Sequence, residues 1–339
     1  MALFLSRLLS NDIGIDLGTA NTLVYVKGQN IVVDEPSVVA LERNSHKPLA
    51  IGSHAKQMMG RQNPDIEVIR PLRNGVIADF DVTEEMLRHF IRKVRKNRLL
   101  VRPRIVICVP SGVTAVEMRA VRESAERAGA REVYIITEPM AAAIGIGLPV
   151  EEAMGSMVID IGGGTTEIAV IALSGIVTSR SIKTAGDGMN QAIITMLRRK
   201  HNLLVGERSA EQIKCEIGSA GKLDSEFQHP CRGLDTVSFI PKTIVVDSVE
   251  IREALNGTVT SILEAVRQTL EQTPPELAAD ILDRGIIMTG GGALLRGLDR
   301  RLMEETGLPV IVADDPLTCV VRGTGRVLEN IDQYQKMLL

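Results

Sequence analysis

Two segments carry residues suited to holding an anion: Asp16-Leu17-Gly18-Thr19-Ala20-Asn21-Thr22 and Asp160-Ile161-Gly162-Gly163-Gly164-Thr165-Thr166. Each follows a short apolar β-like run, Ile13 to Asp16 or Met157 to Asp160, and leads into another, Leu23 to Val26 or Ile168 to Ile171. An acid at a strand end, then glycines, then a hydroxyl residue, describes a tight hairpin whose backbone N–H groups can face an anion. Glycine lets that backbone come close because it has no Cβ. Asp16 and Asp160 can hold a divalent cation through water, and the threonine hydroxyls can add hydrogen bonds to phosphate. One such segment is what an ordinary turn produces. Two of them imply two similar half-molecules gripping one polyphosphate. Neither a Gly-x-x-x-x-Gly-Lys-Ser/Thr loop nor a Gly-x-Gly-x-x-Gly after a strand occurs.

The elements that must position these hairpins follow from periodicity. After the first come strand-like runs at Ile31 to Val33 and Ser37 to Leu41, then a polar, Pro-punctuated stretch to about Asp79, which reads as a small inserted subdomain. A helix is expected from Thr83, with Leu87, Phe90, Ile91 and Val94 on one face. Ile105 to Val109 reads as a buried strand, and Thr114-x-x-Glu117 as a capping box opening a helix that Gly129 closes. Val133 to Ile136 is the next strand. In the second half, Ile176 to Ile182 continues the sheet, and an insertion runs from about Lys183 to Pro241. Inside it Ser209-x-x-Gln212 is expected to cap a helix. Asp247-x-x-Glu250 opens a long helix ending before Pro274-Pro275, and Ile286 to Met288 is a strand into Gly290-Gly291-Gly292. The alternation predicts an α/β fold of two duplicated domains, each with an insertion and helices on both sheet faces, with the ligand in the cleft between them.

Bulk composition sets limits. The 339 residues suffice for two cores, 45% of them hydrophobic and only 2% aromatic, so Ile, Val, Leu, Ala and Met must fill the interior. A net charge of −3 offers no global attraction to nucleic acid, and no nucleic-acid partner is expected. The four cysteines, Cys108, Cys215, Cys231 and Cys319, form no Cys-x-x-Cys pair and read as reduced cytoplasmic thiols. The five histidines show no metal-ligand spacing, so no protein-built zinc site is expected. No apolar run is long enough to span a membrane.

Asp16-Leu-Gly-Thr, Asp160-Ile-Gly-Gly-Gly-Thr and Thr289-Gly-Gly-Gly-Ala-Leu resemble the phosphate-1, phosphate-2 and adenosine elements of the actin, heat-shock-70 and sugar-kinase superfamily. Asp16-Leu-Gly-Thr-Ala-Asn-Thr, Glu35-Pro-Ser-Val-Val-Ala, Arg70-Pro-Leu, Gly75-Val-Ile-Ala-Asp, Glu138-Pro-Met-Ala-Ala-Ala-Ile-Gly and Glu216-Ile-Gly-Ser-Ala together resemble the MreB family of bacterial actin homologues along nearly the full chain. The resemblance implies ATP and Mg²⁺ binding, slow hydrolysis, and self-assembly into filaments on the inner membrane. Those filaments would work with cell-shape and cell-wall synthesis membrane proteins to hold a rod shape. It implies four parts: residues 1–32, 80–145 and 315–339 as a first core; 33–79 inserted in it; 146–182 and 242–314 as a second core; 183–241 inserted in that.

Carried over by position, Gly18, Thr19, Ala20 and Asn21 contact the phosphates, as do Gly162, Gly163, Gly164 and Thr165. Asp16 and Asp160 organise the hydrated metal. Glu211, Gln212, Ile213 and Lys214 match the family's ribose and adenine helix, and Gly290, Gly291, Gly292, Ala293 and Leu294 its adenosine loop. Glu211 and Lys214 lie three apart, so both project from one helical face. Glycines after a strand would let a flat purine pack close. Glu138, before Pro139, is the catalytic candidate, orienting or deprotonating the water that attacks the γ-phosphate. Two departures stand out. Thr137 occupies a place where relatives often carry an acid, and Ala185-Gly-Asp-Gly-Met189 replaces a Gly-Gly-Asp pattern, with Asp187 expected to cap the next helix.

Two surfaces suit a membrane. Phe4, Leu5 and Leu8 share a helical face with Met1, and Leu9 lies beside it, as in an interfacial amphipathic helix. From Arg88 to Arg104 there are eight Lys or Arg and no acid, with Leu99 and Leu100 between them, suited to anionic headgroups. The alternative is a sugar kinase or chaperone-type ATPase of the same fold; a chaperone would need a substrate domain after the ATPase, where this sequence has none.

Overall fold

The computed structural model describes residues 12–95 and 102–339. Two five-stranded sheets carry the fold. The first runs Glu132–Thr137, Arg104–Val109, Ile13–Leu17, Asn21–Val26, Asn30–Pro36. The second runs Val310–Val312, Ile286–Thr289, Ser156–Ile161, Thr166–Ala172, Gly175–Ile182. In these directions the sheets correspond strand for strand: two parallel pairings, then two antiparallel ones. The duplicated α/β architecture read from the sequence is present. Central strands such as Ile13–Leu17 and Ser156–Ile161 are nearly unbroken apolar runs because helices cover both faces.

Each half carries a small three-stranded sheet. Val39–Glu42 lies between Pro48–Ile51 and Ile66–Ile69, and Gln228–Asp235 between Leu203–Leu204 and Pro241–Asp247. Val33 pairs with Val24, so all of Asn30–Pro36 joins the large sheet. Pro241 pairs with Leu234, so Pro241–Asp247 joins the small one. An apolar run does not reveal which sheet a strand will join.

Local side-chain caps set some helix starts. Thr114 and Glu117 form the full capping box ahead of Ala115–Arg127, and Asp247 accepts the Glu250 N–H at 2.9 Å ahead of Ser248–Glu271. Leu87, Phe90, Ile91 and Val94 all lie in the first core beneath Phe80–Arg95. Two capping expectations fail. Glu207–Ile217 begins after Gly206, which leaves Ser209 inside its first turn. Gly186–His201 begins after Ala185, and Asp187 sits within its first turn with its carboxylate on Arg70, where it still suits the helix dipole.

The halves exchange helices. Glu138–Ile146 leaves the first sheet and packs on the Ser156–Ile161 and Thr166–Ala172 strands of the second. Cys319–Glu329 leaves the second sheet and packs on Ile13–Leu17 and Arg104–Val109 of the first. The two helices cross backbone to backbone. A Cβ at Gly145 would lie 1.9 Å from the Cys319 carbonyl oxygen, and one at Gly323 1.8 Å from that of Ala141. Only glycine fits at either place. Val158, Ile171, Val320 and Val327 close a core around this crossing, which ties the halves at the base of the cleft.

Candidate functional site

The tips of the two hairpins touch. A Cβ on Gly163 would stand 2.7 Å from that of Ala20, and one on Gly164 2.9 Å from Thr19 Oγ1. Thr19 Oγ1 accepts the Gly75 N–H at 3.2 Å, and the Gly162 N–H closes its own turn on the Thr165 carbonyl at 2.9 Å. Between the halves lies a cavity of about 450 Å³. Asp16, Gly18, Thr19, Ala20 and Asn21 border it from one side, and Asp160, Gly162, Gly163, Gly164 and Thr165 from the other. Glu138 reaches the same space as the first residue of its helix, with Pro139 second.

Of the residues assigned to the adenosine, Glu211, Lys214, Gly290, Gly291, Gly292 and Leu294 border this cavity. Gln212, Ile213 and Ala293 do not. Ile213 and Ala293 are buried in the second core, and Gln212 turns outward to donate to Glu216 at 2.8 Å. Helical periodicity is the reason: Glu211, Lys214, Cys215 and Gly218 share the cavity face, which 212 and 213 cannot join. Close packing against the second hairpin also calls for glycine here. A Cβ on Gly290, at φ +79°, would lie 2.4 Å from Asp160 Oδ1, and one on Gly292 2.2 Å from Ile161 Cγ2. These glycines let the loop lie against the second hairpin.

The cavity floor is acidic. Burial pushes the Asp16 carboxyl up to about 6, held there in part by Asp34 and opposed by a hydrogen bond from the Cys108 thiol at 3.3 Å. Burial, then repulsion from Asp16 and Glu167, pushes Asp160 up to about 8. Glu138 stands well above the ordinary carboxylate range, through burial and then the charges of Glu167, Asp160 and Asp16. Burial also lowers Lys214, whose Nζ donates to the Gly186 carbonyl at 3.1 Å.

Sequence reasoning did not single out Cys108 or Glu167. Glu167 could have been found from the hairpin itself, because it is the register partner of Asp160. Nor did it single out Asn190, which borders the cavity almost fully buried with Oδ1 unpartnered, or Lys56, and Arg70 entered only within a family motif, with no role over the cleft. Lys56 pairs with Glu211 at 3.0 Å, and Arg70 with Asp187 at 3.1 Å and Glu207 at 2.9 Å. These pairs join the two halves above the cavity. The expected membrane residues Phe4, Leu5, Leu8, Leu9, Leu99 and Leu100 lie outside the described residues.

Comparison with known proteins agrees with this geometry. The chain is 57% identical over 332 residues to the cell shape-determining protein MreB of Escherichia coli K12, covering 96% of each. MreB5 of Spiroplasma citri bound to ADP is 38% identical with a TM-score of 0.91, covering 96% of this chain and 98% of that one; its AMPPNP-bound form gives 0.90. MamK in its double helical filament, 22% identical over 94% of this chain and 98% of its own, shares the fold with a TM-score of 0.81. The fold is actin-like. With the MreB/Mbl protein model matching residues 10–336, the chain belongs to the MreB/Mbl family.

Proposed function

We propose that this protein is a cytoskeletal ATPase. It binds Mg-ATP between its halves, polymerises into filaments on the inner face of the cell membrane, and directs cell-wall synthesis to maintain a rod shape. The observation that carries the reading is the convergence of both hairpins and Glu138 on one cavity. The E. coli relative is named for determining cell shape, and the S. citri relative is solved with ADP and with AMPPNP.

In this reading the hairpin N–H groups and the Thr19 and Thr165 hydroxyls hold the phosphates. Glu211, Lys214 and the Gly290–Leu294 loop take the nucleoside. Glu138 orients a water whose oxygen bonds to the γ-phosphorus as the bond to the ADP oxygen breaks, and its carboxylate receives the water's proton. Asp16 and Asp160 suit a hydrated Mg²⁺. Burial and neighbouring carboxylates raise the proton affinity of both, which a cation would relieve, and no three acidic, His or Cys side chains among the described residues cluster tightly enough to ligate a metal directly. Bound there, the ion would neutralise phosphate charge and draw the carboxylates to their ionised forms. The four-part division, with the insertions ending where the small sheets end, goes with this reading.

No described helix is long and apolar enough to cross a membrane. We place the membrane contact in residues 1–9 and at Leu99 and Leu100. Each buried Leu or Phe contributes roughly 1.5–3 kcal/mol and each nearby cation about 1 kcal/mol, so a filament would hold by avidity where one subunit binds weakly. Electron microscopy with Mg-ATP and anionic vesicles should show filaments lying on lipid. Deleting residues 1–9 together with Leu99→Ser and Leu100→Ser should abolish vesicle pelleting. Glu138→Ala should keep ATP binding and lose most phosphate release. Bare vesicles beside a monomer that hydrolyses ATP would return the kinase or chaperone reading.

A further inference from the structure

Glu167 is fully buried, and the hydrolytic roles given above leave it unused. It projects from the Thr166–Ala172 strand of the second sheet, opposite Asp160 on one side and Ser181 on the other. One carboxylate oxygen accepts the Ser181 hydroxyl, from the same sheet. The other accepts both the Ser111 N–H, at 3.0 Å, and the Ser111 hydroxyl. Ser111 belongs to the other half. It lies in the turn after Arg104–Val109, whose last residue pairs with Thr137, so Pro110 and Glu138 leave the first sheet side by side. The turn is wedged tightly: a Cβ on Gly75 would meet Pro110 Cγ at 2.7 Å, and one on Gly112 would meet Ser181 Cβ at 3.3 Å.

We propose that Glu167 is a positioning residue for hydrolysis: a buried clamp that fixes the Ser111 turn of the first half to the second sheet and so sets Glu138 against Asp160. The inference rests on the ATPase reading. A carboxylate accepts hydrogen bonds only, so three donors satisfy it, and burial makes each one costly to lose. Ser111 lies two residues past Val109, the end of the strand beside the one that carries Glu138, and Glu167 lies directly across the hairpin from Asp160. Movement of either half therefore reaches both acids through one rigid link. Glu167 is also the leading neighbouring charge that raises Glu138, as proximity requires.

Ser111 and Ser181 provide the test. Both donate a hydroxyl to the same carboxylate, but only the Ser111 bond crosses between halves. In single-turnover phosphate release at saturating Mg-ATP, Ser111→Ala should slow the reaction at least tenfold, with ATP and ADP affinities within threefold of wild type. Ser181→Ala should change the rate less than twofold. Glu167→Gln keeps an acceptor for Ser111 and should stay within threefold of wild type, whereas Glu167→Ala should match Ser111→Ala. Equal losses in the two serine variants, or a Ser111→Ala loss that falls equally on nucleotide affinity, would overturn the clamp and leave the ATPase reading standing. A wild-type protein that binds no nucleotide or releases no phosphate would overturn both.

Discussion

Asp16 and Asp160 occupy the same place in two copies of one scaffold, yet their neighbours differ on both sides. Across its hairpin Asp16 faces the apolar Leu23, whereas Asp160 faces the carboxylate of Glu167. On the parallel-strand side, Cys108 donates to Asp16. The corresponding residue beside Asp160 is Thr289, whose hydroxyl donates instead to the Pro316 carbonyl at 2.9 Å. Burial raises both acids; the Cys108 donor then opposes the rise at Asp16, against Asp34, whereas Asp16 and Glu167 add to it at Asp160, and the two stand at about 6 and about 8. Duplication has kept what the backbone does, the turn and its N–H groups. Divergence has fallen on the side chains that set charge.

The braces behind the hairpins differ as well. Ser37, fully buried, donates to the Gly18 carbonyl at 2.6 Å and shares a 2.9 Å hydrogen bond with Thr22, steadying the first turn with hydroxyls. The second turn is steadied by the approach of Gly290 and Gly292. Of three small changes around these turns, Gly292→Ala should be the most damaging, costing roughly 2–4 kcal/mol as its Cβ overpacks Ile161. Ser37→Ala should cost about 1–2 kcal/mol through an orphaned carbonyl. Gly291→Ala, which meets only the end of Leu317 at 3.1 Å, should stay within about 0.5 kcal/mol. Chemical denaturation of the three variants checks the order. A Gly292→Ala protein as stable as Gly291→Ala would show that the loop can move aside.

How far these features were legible depended on their range in sequence. The hairpins, the Thr114 capping box and the Asp247 cap are local, and short-range spacing revealed them. Ser209 and Asp187 misled because each lies near enough to a helix start to cap it, while the helices already begin at Glu207 and Gly186, just after Gly206 and Ala185. The face of Glu207–Ile217 was half legible: a spacing of three placed Glu211 with Lys214, and the same rule applied strictly excludes Gln212 and Ile213. The Ser111–Glu167 link, the Gly145–Gly323 crossing and the cross-cleft pairs join residues far apart in sequence. Nothing local to either partner announces them.

The unlike surroundings of the two aspartates should separate on titration. A carboxyl whose folded pKa is raised holds a proton that the unfolded chain releases. The associated stability is full below the unfolded value of 3.8 and is lost as pH rises through the folded value. For Asp16 the loss is complete a little above pH 6; for Asp160 it continues past pH 8. Without nucleotide or Mg²⁺, Asp160→Asn should therefore stabilise the protein by roughly 1–3 kcal/mol at pH 9, while Asp16→Asn gains less and levels off earlier. The same Asp160→Asn change should weaken Mg-ATP binding on the order of 100-fold. Melting curves from pH 5 to pH 9, with and without Mg-ATP, measure both. Identical pH profiles for the two variants would mean that Glu167 and Cys108 do not distinguish the acids.

The smallest effect is expected where the halves meet in solvent. Lys56 and Glu211 are each about a third exposed, at 31% and 35%, so their pair should contribute at most about 0.5 kcal/mol. Arg70, 15% exposed and shared between Asp187 and Glu207, should contribute nearer 1 kcal/mol and resist salt better. The functional signs should also differ. Glu211 borders the cavity, and its partner competes for the carboxylate that would meet the ribose, so Lys56→Ala should leave nucleotide affinity unchanged or raise it about twofold. Arg70→Ala removes a more buried bridge between the halves and should lower that affinity by a similarly small factor. Nucleotide titrations at low and high salt decide the matter. If Lys56→Ala weakens binding, the pair holds Glu211 in its working position and does not compete for it.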